Sequence, residues 1–416
     1  MKRIITILMS VLGCVVVVSA SGTNECSSAV GDISPLAIYP GDITALDPYG
    51  EATTDEAGIL KSWLVGEYDL YSLKIRGPIN ADDFQAMWKI SFKGNLRVLD
   101  LSEAEIDDGV IPAGAFWNES EQKNTSCDHI NYIRLRKIIL PKNTKVIGEN
   151  AFANAVFLDE VVFPEGLETI GANAFYNCAL KEVDLPATCV NFDGEGQFRL
   201  NLDLERISLP EGVESIPPGF VRECIYLKDV VIPSTVKHIG GYAFYQCRSL
   251  KSLALSPVLE TIGEYALWGM DGIEKLIFPA SLKSLGVKCC EYMTWARRIY
   301  CAAVEPPLCH KMDEDFADSD TPFGHRGTNF HLATPEGAWV YVPKGTADKY
   351  RNAWGWHYFT VFIETDEFPD ASVGDVIVDS NADDGSVYDL QGRLVLNPQD
   401  GHLYIREGRK FIYKAN

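Results

Sequence analysis

The stretch Leu227–Leu250, LKDVVIPSTVKHIGGYAFYQCRSL, decides the fold. It reads L-x-x-(I/V/L)-x-(L/F/I)-P, then I-G-x-x-A-F-x-x-C, and the pattern returns up and down the chain. Prolines mark the beat at Pro141, Pro164, Pro186, Pro210, Pro233, Pro257 and Pro279, with spacings of 22 to 24 residues. A fixed period in this range is the mark of a solenoid. One turn has too few apolar residues to close a core of its own. Leu227, Val230 and Ile232 point one way on a short strand, and Ile239, Ala243, Phe244 and Cys247 must point the same way after the corners. Stacked turns bury these as columns, each turn touching mainly its neighbours. The leucine column reads Leu158, Leu180, Leu204, Leu227, Leu250. The aromatic column reads Phe152, Phe175, Phe198, Phe220, Phe244, with Leu267 standing in once.

The proline has no N–H to give, so it ends the strand and turns the corner. Gly148, Gly171, Gly240 and Gly263 follow the second apolar pair, where a left-handed corner is expected because glycine adopts it freely. Two repeats depart from the pattern: Asn191–Gly196 replaces I-G-x-x-A, and Ile216-Pro217-Pro218-Gly219-Phe220 alters the corner. Local irregularity is expected there, not a break in the stack.

The recurring I-G-x-x-A-F-x-x-C followed by L-x-x-(I/V)-x-(L/I)-P resembles the BspA-like class of bacterial leucine-rich repeats, over roughly residues 70 to 300. The resemblance implies a surface or secreted protein, with binding or adhesion as its role. The fold expected is a leucine-rich-repeat solenoid of short parallel strands and few short helices, capped at both ends, with a small C-terminal antiparallel β-module.

Forty-six per cent apolar residues suffice for a long core, and a formal charge of −21 marks an acidic surface. Such a field disfavours nucleic acid and anionic membrane as partners. Lys2-Arg3, the apolar run Ile4–Val18 and the small-residue site Val18-Ser19-Ala20 read as an export signal over residues 1–20. Val11-Leu12-Gly13-Cys14 is the rival reading, a lipobox whose Cys14 would carry lipid and give the one membrane attachment expected.

Residues 21–95 are read as an entry segment and helical cap. Within it, a short helix is expected over Asp55–Gly66 with Ile59, Leu60, Trp63 and Leu64 inward. A second helix runs from Ala81 to about Phe92, capped by Asn80, with Phe84, Met87 and Trp88 on one face. The solenoid occupies 96–300, interrupted by a polar insertion at 117–131 that carries the sequons at Asn118 and Asn124. A C-terminal repeat cap with an acidic loop follows over 301–365. Its Tyr350, Trp354, Trp356, Tyr358 and Phe359 are explained by covering the last turn. Residues 366–384 read as a linker. Residues 385–416 read as a β-module of two hairpins, Ser386–Leu390 with Arg393–Leu396 and Leu403–Ile405 with Phe411–Tyr413, which resembles the end of C-terminal sorting modules.

Chemistry is sparse. Cys178, Cys224 and Cys247 share one column with Ala155, Leu200, Met270 and Met293, which reads as a buried apolar slot; a Cys224–Cys247 disulfide is the alternative. Cys301, Cys309, His310, His325 and His331 form the best metal constellation but match no zinc spacing; a Cys301–Cys309 disulfide is the rival reading. Asp313, Asp315, Asp318 and Asp320 hint at calcium but lack the glycine and terminal glutamate of an EF-hand loop. No nucleophile elbow, metalloprotease helix or phosphate loop is present in the sequence. No enzyme, cofactor or metal is therefore expected.

Binding is expected on the strands. Alternate side chains leave the core, giving outward pairs Lys137 and Ile139, Glu160 and Val162, Glu182 and Asp184, Arg206 and Ser208, Asp229 and Val231, Ser252 and Ala254, Lys275 and Ile277. Seven strands at about 4.8 Å each make a face roughly 30 Å long, suited to a protein or glycan at the cell surface. A glycan reading needs exposed tryptophan among Trp117, Trp339, Trp354 and Trp356. A purely structural spacer is the third reading.

Overall fold

The computed structural model describes residues 49–64, 69–117, 133–311, 321–324 and 334–369. It also describes a C-terminal hairpin and, within the first 25 residues, two short antiparallel pairs: Ser10–Val11 with Cys14–Val15, and Val17–Val18 with Asn24–Glu25. The chain from Tyr49 to Thr365 coils into a parallel solenoid of about 12 turns with few short helices. One side of the coil carries the longer strands. These are β1 (Tyr49–Thr53), β2 (Ser72–Ile79), β3 (Val98–Ile106), β4 (Lys137–Ile139), β5 (Glu160–Val162) and β6 (Glu182–Asp184). Then come β7 (Arg206–Ser208), β8 (Asp229–Val231), β9 (Lys275–Phe278), β10 (Arg298–Cys301), β11 (Trp339–Pro343) and β12 (Val361–Thr365). A second side carries two-residue strands such as Thr169–Ile170 and His238–Ile239, and turns form the third.

The leucine column is fully buried from Leu158 to Leu250, as the period requires. Phe116, Phe152, Phe175 and Phe198 stack ring on ring at 5.2–5.4 Å with planes within 14°. The next ring breaks the series. Phe198 N donates to Phe220 O and Val221 N to Ala243 O, in the rank where Phe175 N donates to Gln197 O and Phe244 N to Ala266 O. Val221 thus holds the aromatic position and Phe220 the alanine position, and Phe220 meets Phe198 edge-on at 83°.

The glycine expectation is corrected. Gly148, Gly171, Gly240 and Gly263 are not left-handed; a Cβ on them would lie 2.4–2.7 Å from backbone nitrogen of the preceding turn. They are needed for close approach between turns. The left-handed corners fall two and six residues later, at Asn150, Asn173, Tyr242 and Tyr265, and at Asn154, Asn177, Gln246 and Gly269.

The long side is not one ladder. β1–β5, β6–β8 and β9–β12 form three parallel sheets, in register except for a bulge that takes β2 against β3 from Lys74 beside Asp100 to Arg76 beside Glu103. Between β5 and β6 the turn is one residue short, since Cys178-Ala179-Leu180 does the work of Cys224-Ile225-Tyr226-Leu227. The like charges Glu160 and Glu182 also come to face one another there. Between β8 and β9 the extra Ser256 ahead of Pro257 leaves Lys251–Leu255 without a strand. On the second side the ladder stops between Asn191–Phe192 and Ser215–Ile216, at the two departing repeats. The third side continues through them, with Gly196 N donating to Pro218 O at 2.9 Å.

At the N-terminal end the first helix is shorter than expected: α1 is Leu60–Trp63. Asn80 caps α2 (Ala81–Lys93) through a full capping box with Asp83, and Phe84, Met87 and Trp88 are buried. Asp83 is itself fully buried, yet its carboxylate accepts from Gly58 N, Leu60 N and Asn80 N. At the other end α3 (Ala347–Asn352) brings Tyr350 onto Trp356, both fully buried. Where a C-terminal β-module is expected, the described residues hold one hairpin, Leu403–Arg406 paired antiparallel with Arg409–Ile412. The hairpin at 386–396 and the loops bearing Asn118, Asn124, Cys127, Asp313–Asp320, His325 and His331 lie outside the described residues.

Candidate binding surface

Strand alternation places the expected residues on the long face with two exceptions, the Ser252 and Ala254 pair, whose segment forms no strand, and Ile277. Glu160, Val162, Glu182, Asp184 and Asp229 are exposed, and Lys137, Ile139, Arg206, Ser208, Val231 and Lys275 half-buried. Ile277 is only 7 % exposed and offers little to a partner. In the same register the neighbouring strand presents Tyr300, which lies beside it.

The face divides by chemistry. From β1 to β8 its charges are tied sideways between neighbouring strands. Arg76 reaches Glu51 and Glu103 at 2.7 Å, and Lys74 reaches Glu103 at 2.6 Å. Those two cations hold the Glu103 carboxyl down at about 2, the Lys74 bond being the larger cause. Lys137 pairs with Glu160 at 2.7 Å, and Arg206 bridges Asp184 at 2.7 Å and Asp229 at 3.5 Å. Exposed pairs of this kind contribute about 0–1 kcal/mol each, so they order the surface more than they hold the coil together.

From β9 to β12 the face is aromatic. One outward row runs Lys275, Arg298, Trp339, Val361; the other runs Ile277, Tyr300, Tyr341, Ile363. Tyr300 and Tyr341 lie parallel at 4.3 Å, and Trp339 is 52 % exposed. Sequence reasoning missed this patch although the alternation in Arg298–Cys301 and Val340–Val342 carried the signal. The expected cap takes Tyr350, Trp354, Trp356, Tyr358 and Phe359, and Trp339 is expected outside only as a sugar-stacking candidate. Tyr350, Trp356, Tyr358 and Phe359 are indeed buried there, but Trp339 and Tyr341 face outward.

The turn side holds a second array. Tyr242 stacks on Tyr265 at 4.9 Å and Tyr245 on Trp268 at 4.6 Å, with the Arg222 guanidinium 5.1 Å from both Tyr242 and Tyr245. These rings spend their faces on one another. The array stiffens the stack and leaves mostly ring edges for a ligand.

The cysteine column is corrected by one position. Leu200 is a left-handed corner with φ 61°, and Asn201 stands in the column. Its side-chain amide donates to Phe175 O at 2.8 Å, as the thiols of Cys178, Cys224 and Cys247 donate to Phe152 O, Phe198 O and Val221 O at 3.2–3.3 Å. The slot therefore serves a buried carbonyl as well as filling space. Cys224, Cys247, Cys301 and Cys309 are free buried thiols. Burial pushes Cys224 up to about 12 and Cys301 to about 11, so neither is a nucleophile at neutral pH. Tyr350 donates its hydroxyl to Cys301 Sγ and Ala303 O. Among the described residues no three His, Cys, Asp or Glu side chains are grouped to hold a metal, and no helix is long and apolar enough to cross a membrane.

Register, period and paired corners define a parallel leucine-rich-repeat coil. Residues 126–224 and 215–303 match the BspA type leucine rich repeat region in six copies, and this stretch of the chain is a repeat region of that type. No curated protein matches it. Among solved structures it is similar to a leucine-rich repeat protein from Bacteroides ovatus, at 15 % identity over 72 % of this chain and 94 % of that one, TM-score 0.36. It is also similar to the pneumococcal vaccine antigen PcpA, at 17 % identity over 72 % and 80 %, TM-score 0.36. A leucine rich cell surface protein from Faecalibacterium prausnitzii matches at 13 % over 71 % and 88 %, TM-score 0.32.

Proposed function

We propose that the chain is exported and works at the bacterial cell surface as a non-catalytic binding protein, holding a macromolecular partner on its long strand face. The observation that carries this reading is that the face keeps apolar and aromatic side chains in contact with water along ordered rows: Val162 at 40 % exposure, Ile139 and Val231 half-buried, and the Trp339 patch. A merely solvated sheet face gains nothing from an exposed indole. The export signal over residues 1–20 and the BspA-type repeat region support a surface location, and adhesion to a host or neighbouring-cell protein is the form of binding we favour. Lipid attachment at Cys14 is the alternative route to the surface, read out by labelled palmitate.

The experiment is binding of the chain to an immobilised panel of extracellular proteins and glycans. Val162→Glu with Val231→Glu, or Trp339→Ala, should abolish the binding that wild type shows, with the circular dichroism spectrum unchanged. Arg222→Glu on the turn side should leave it intact. Loss with Arg222→Glu alone would move the site to the turn side. A glycan-binding accessory is the second reading, favoured by exposed Trp339; against it, Trp356 is fully buried and Trp117 and Trp354 are half-buried.

A further inference from the structure

We infer that the corner where the turn side meets the long strands is a second binding surface, on which Phe157, Tyr226 and Trp295 hold a linear neutral glycan of the xylan kind along the coil. The inference does not rest on the strand-face reading and stands whether or not that face binds.

Six aromatic side chains are exposed among the described residues, and three of them occupy one structural position. Phe157, Tyr226 and Trp295 are 50 %, 56 % and 60 % exposed. Each is the third residue of a β-turn that leads into a long strand. The N–H of Leu158, Leu227 and Ala296 donates to the carbonyl of Ala155, Cys224 and Met293 at 2.8–3.1 Å, and β5, β8 and β10 begin three residues past the ring. The rings are 69 residues apart, three turns of the coil each time. At about 4.8 Å per turn they stand about 14 Å from one another. Ala179, Asp203, Ser249 and Gly272 hold the position in the turns between, so no large side chain shades the rings.

That interval leaves the ring faces open. On the turn side, rings one turn apart stack at 4.6–4.9 Å and cover each other. The side chains of Phe157, Tyr226 and Trp295 have no ring, cation or hydrogen-bond partner among the described residues. A flat apolar face without a partner is what the C–H face of a pyranose covers, releasing water from both surfaces. Exposed Asp203 and Lys251 lie beside the row, a carboxylate to accept from sugar hydroxyls and an ammonium to donate to them.

The interval also selects the occupant. A pyranose chain advances by about the height of one coil turn per sugar, so three sugars bridge two rings. A chain with a threefold screw, as xylan has, then shows every ring the same sugar face, whereas the twofold ribbon of cellulose alternates faces. An extended peptide at about 3.3 Å per residue falls about 1 Å short of each interval in four residues. Polyproline II turns once in about 9 Å and an α-helix once in about 5.4 Å, and both meet the rings out of phase. A folded protein buries about 800 Å² in a standard interface, and a row one side chain wide offers it three separate points. The net charge of −21 disfavours an anionic polysaccharide.

The test is calorimetric titration of the full chain with xylo-oligosaccharides of three, four and seven units, which reach one, two and three rings. Affinity should rise about tenfold or more at each step. Trp295→Ala and Tyr226→Ala should each remove about one such step from the heptamer, while Val162→Glu and Trp339→Ala leave it unchanged. All four side chains are exposed, and circular dichroism checks that each variant folds. A wild-type chain that gives no heat with the heptamer, or an affinity that does not rise with length, would sink the proposal. Celloheptaose bound as tightly as xyloheptaose would overturn the threefold match that selects the ligand. Heptamer binding lost on Trp339→Ala and kept on Trp295→Ala would move the glycan to the strand face, rejecting this surface while leaving the strand-face reading in place.

Discussion

Gly263 and Tyr265 sit two residues apart and have exchanged the roles that their side chains suggest. Gly263 has ordinary backbone angles but no room for a Cβ, with Gly241 N 2.4 Å from where it would lie. Tyr265 is left-handed at φ 52° and tolerates it, at a cost of about 1–2 kcal/mol for an L-residue. Gly263→Ala should therefore destabilise the coil by about 1–3 kcal/mol through overpacking, measured as a fall in the urea midpoint. The opposite change is available at Leu200, also left-handed. Its column holds Asn154 and Asn177, whose amides are joined by a 2.7 Å hydrogen bond. Leu200→Asn should raise stability by about 0.5–1 kcal/mol, because asparagine visits this conformation with less strain. A lowered midpoint would mean that the half-buried leucine contributes more by packing than it costs in strain. The sequence showed where the glycines recur but not why. A repeated glycine signals either a special φ or a close approach, and only the distance between successive turns separates the two.

At the scale of one turn, the column of Cys178, Asn201, Cys224 and Cys247 shows what a repeat pattern hides. Read for residue type, Leu200 fits an apolar slot and Asn201 does not. Read for hydrogen bonding, Asn201 fits, because a carbonyl of the preceding turn needs a donor inside the core. Asn201→Cys should preserve the donor and cost about 1 kcal/mol or less. Asn201→Leu leaves Phe175 O and Phe198 O without the side-chain amide and should cost about 2–4 kcal/mol, with the two variants compared in the same urea titration. Equal losses in both would show that shape, not donation, fixes the position. The strand elements were legible because period and alternation are both carried by single letters. Their ladder was not, because one missing residue beside Ala179 and one extra at Ser256 shift register without altering the motif. The same limit applies at the binding face. Its outward positions follow from alternation, whereas the aromatic character of its last third was masked by a neighbouring cap that uses the same residue types and buries them.

Over the whole molecule, two electrostatic effects run in opposite directions as pH falls. The coil carries a formal −21 at pH 7, and self-repulsion of this size weakens a compact state. Protonating exposed carboxylates between pH 7 and about 5 relieves it, so stability should first rise. Below that, carboxylates that the fold holds ionised begin to matter. Glu103 is depressed to about 2 by Lys74 and Arg76, Glu260 is lowered mainly by Lys283, and Glu364 by the backbone N–H groups of Ala347 and Gly345. A group whose folded pKa lies below its unfolded one adds stability above the unfolded value and loses it as pH falls toward the folded one. The loss should therefore set in near pH 4.5 and continue to about pH 2, the interval between the ordinary carboxyl value and the lowered one of Glu103. Thermal midpoints measured from pH 7 to 2.5 should pass through a maximum near pH 5. Glu103→Gln, which has no proton to take up, should shallow the acid limb while leaving the rise from pH 7 in place. Glu103 and Glu364 are exposed and Glu260 is half-buried at the surface, so molar salt should flatten both limbs together. An acid limb that Glu103→Gln leaves unchanged would place the acid sensitivity in other carboxylates than the β2–β3 network.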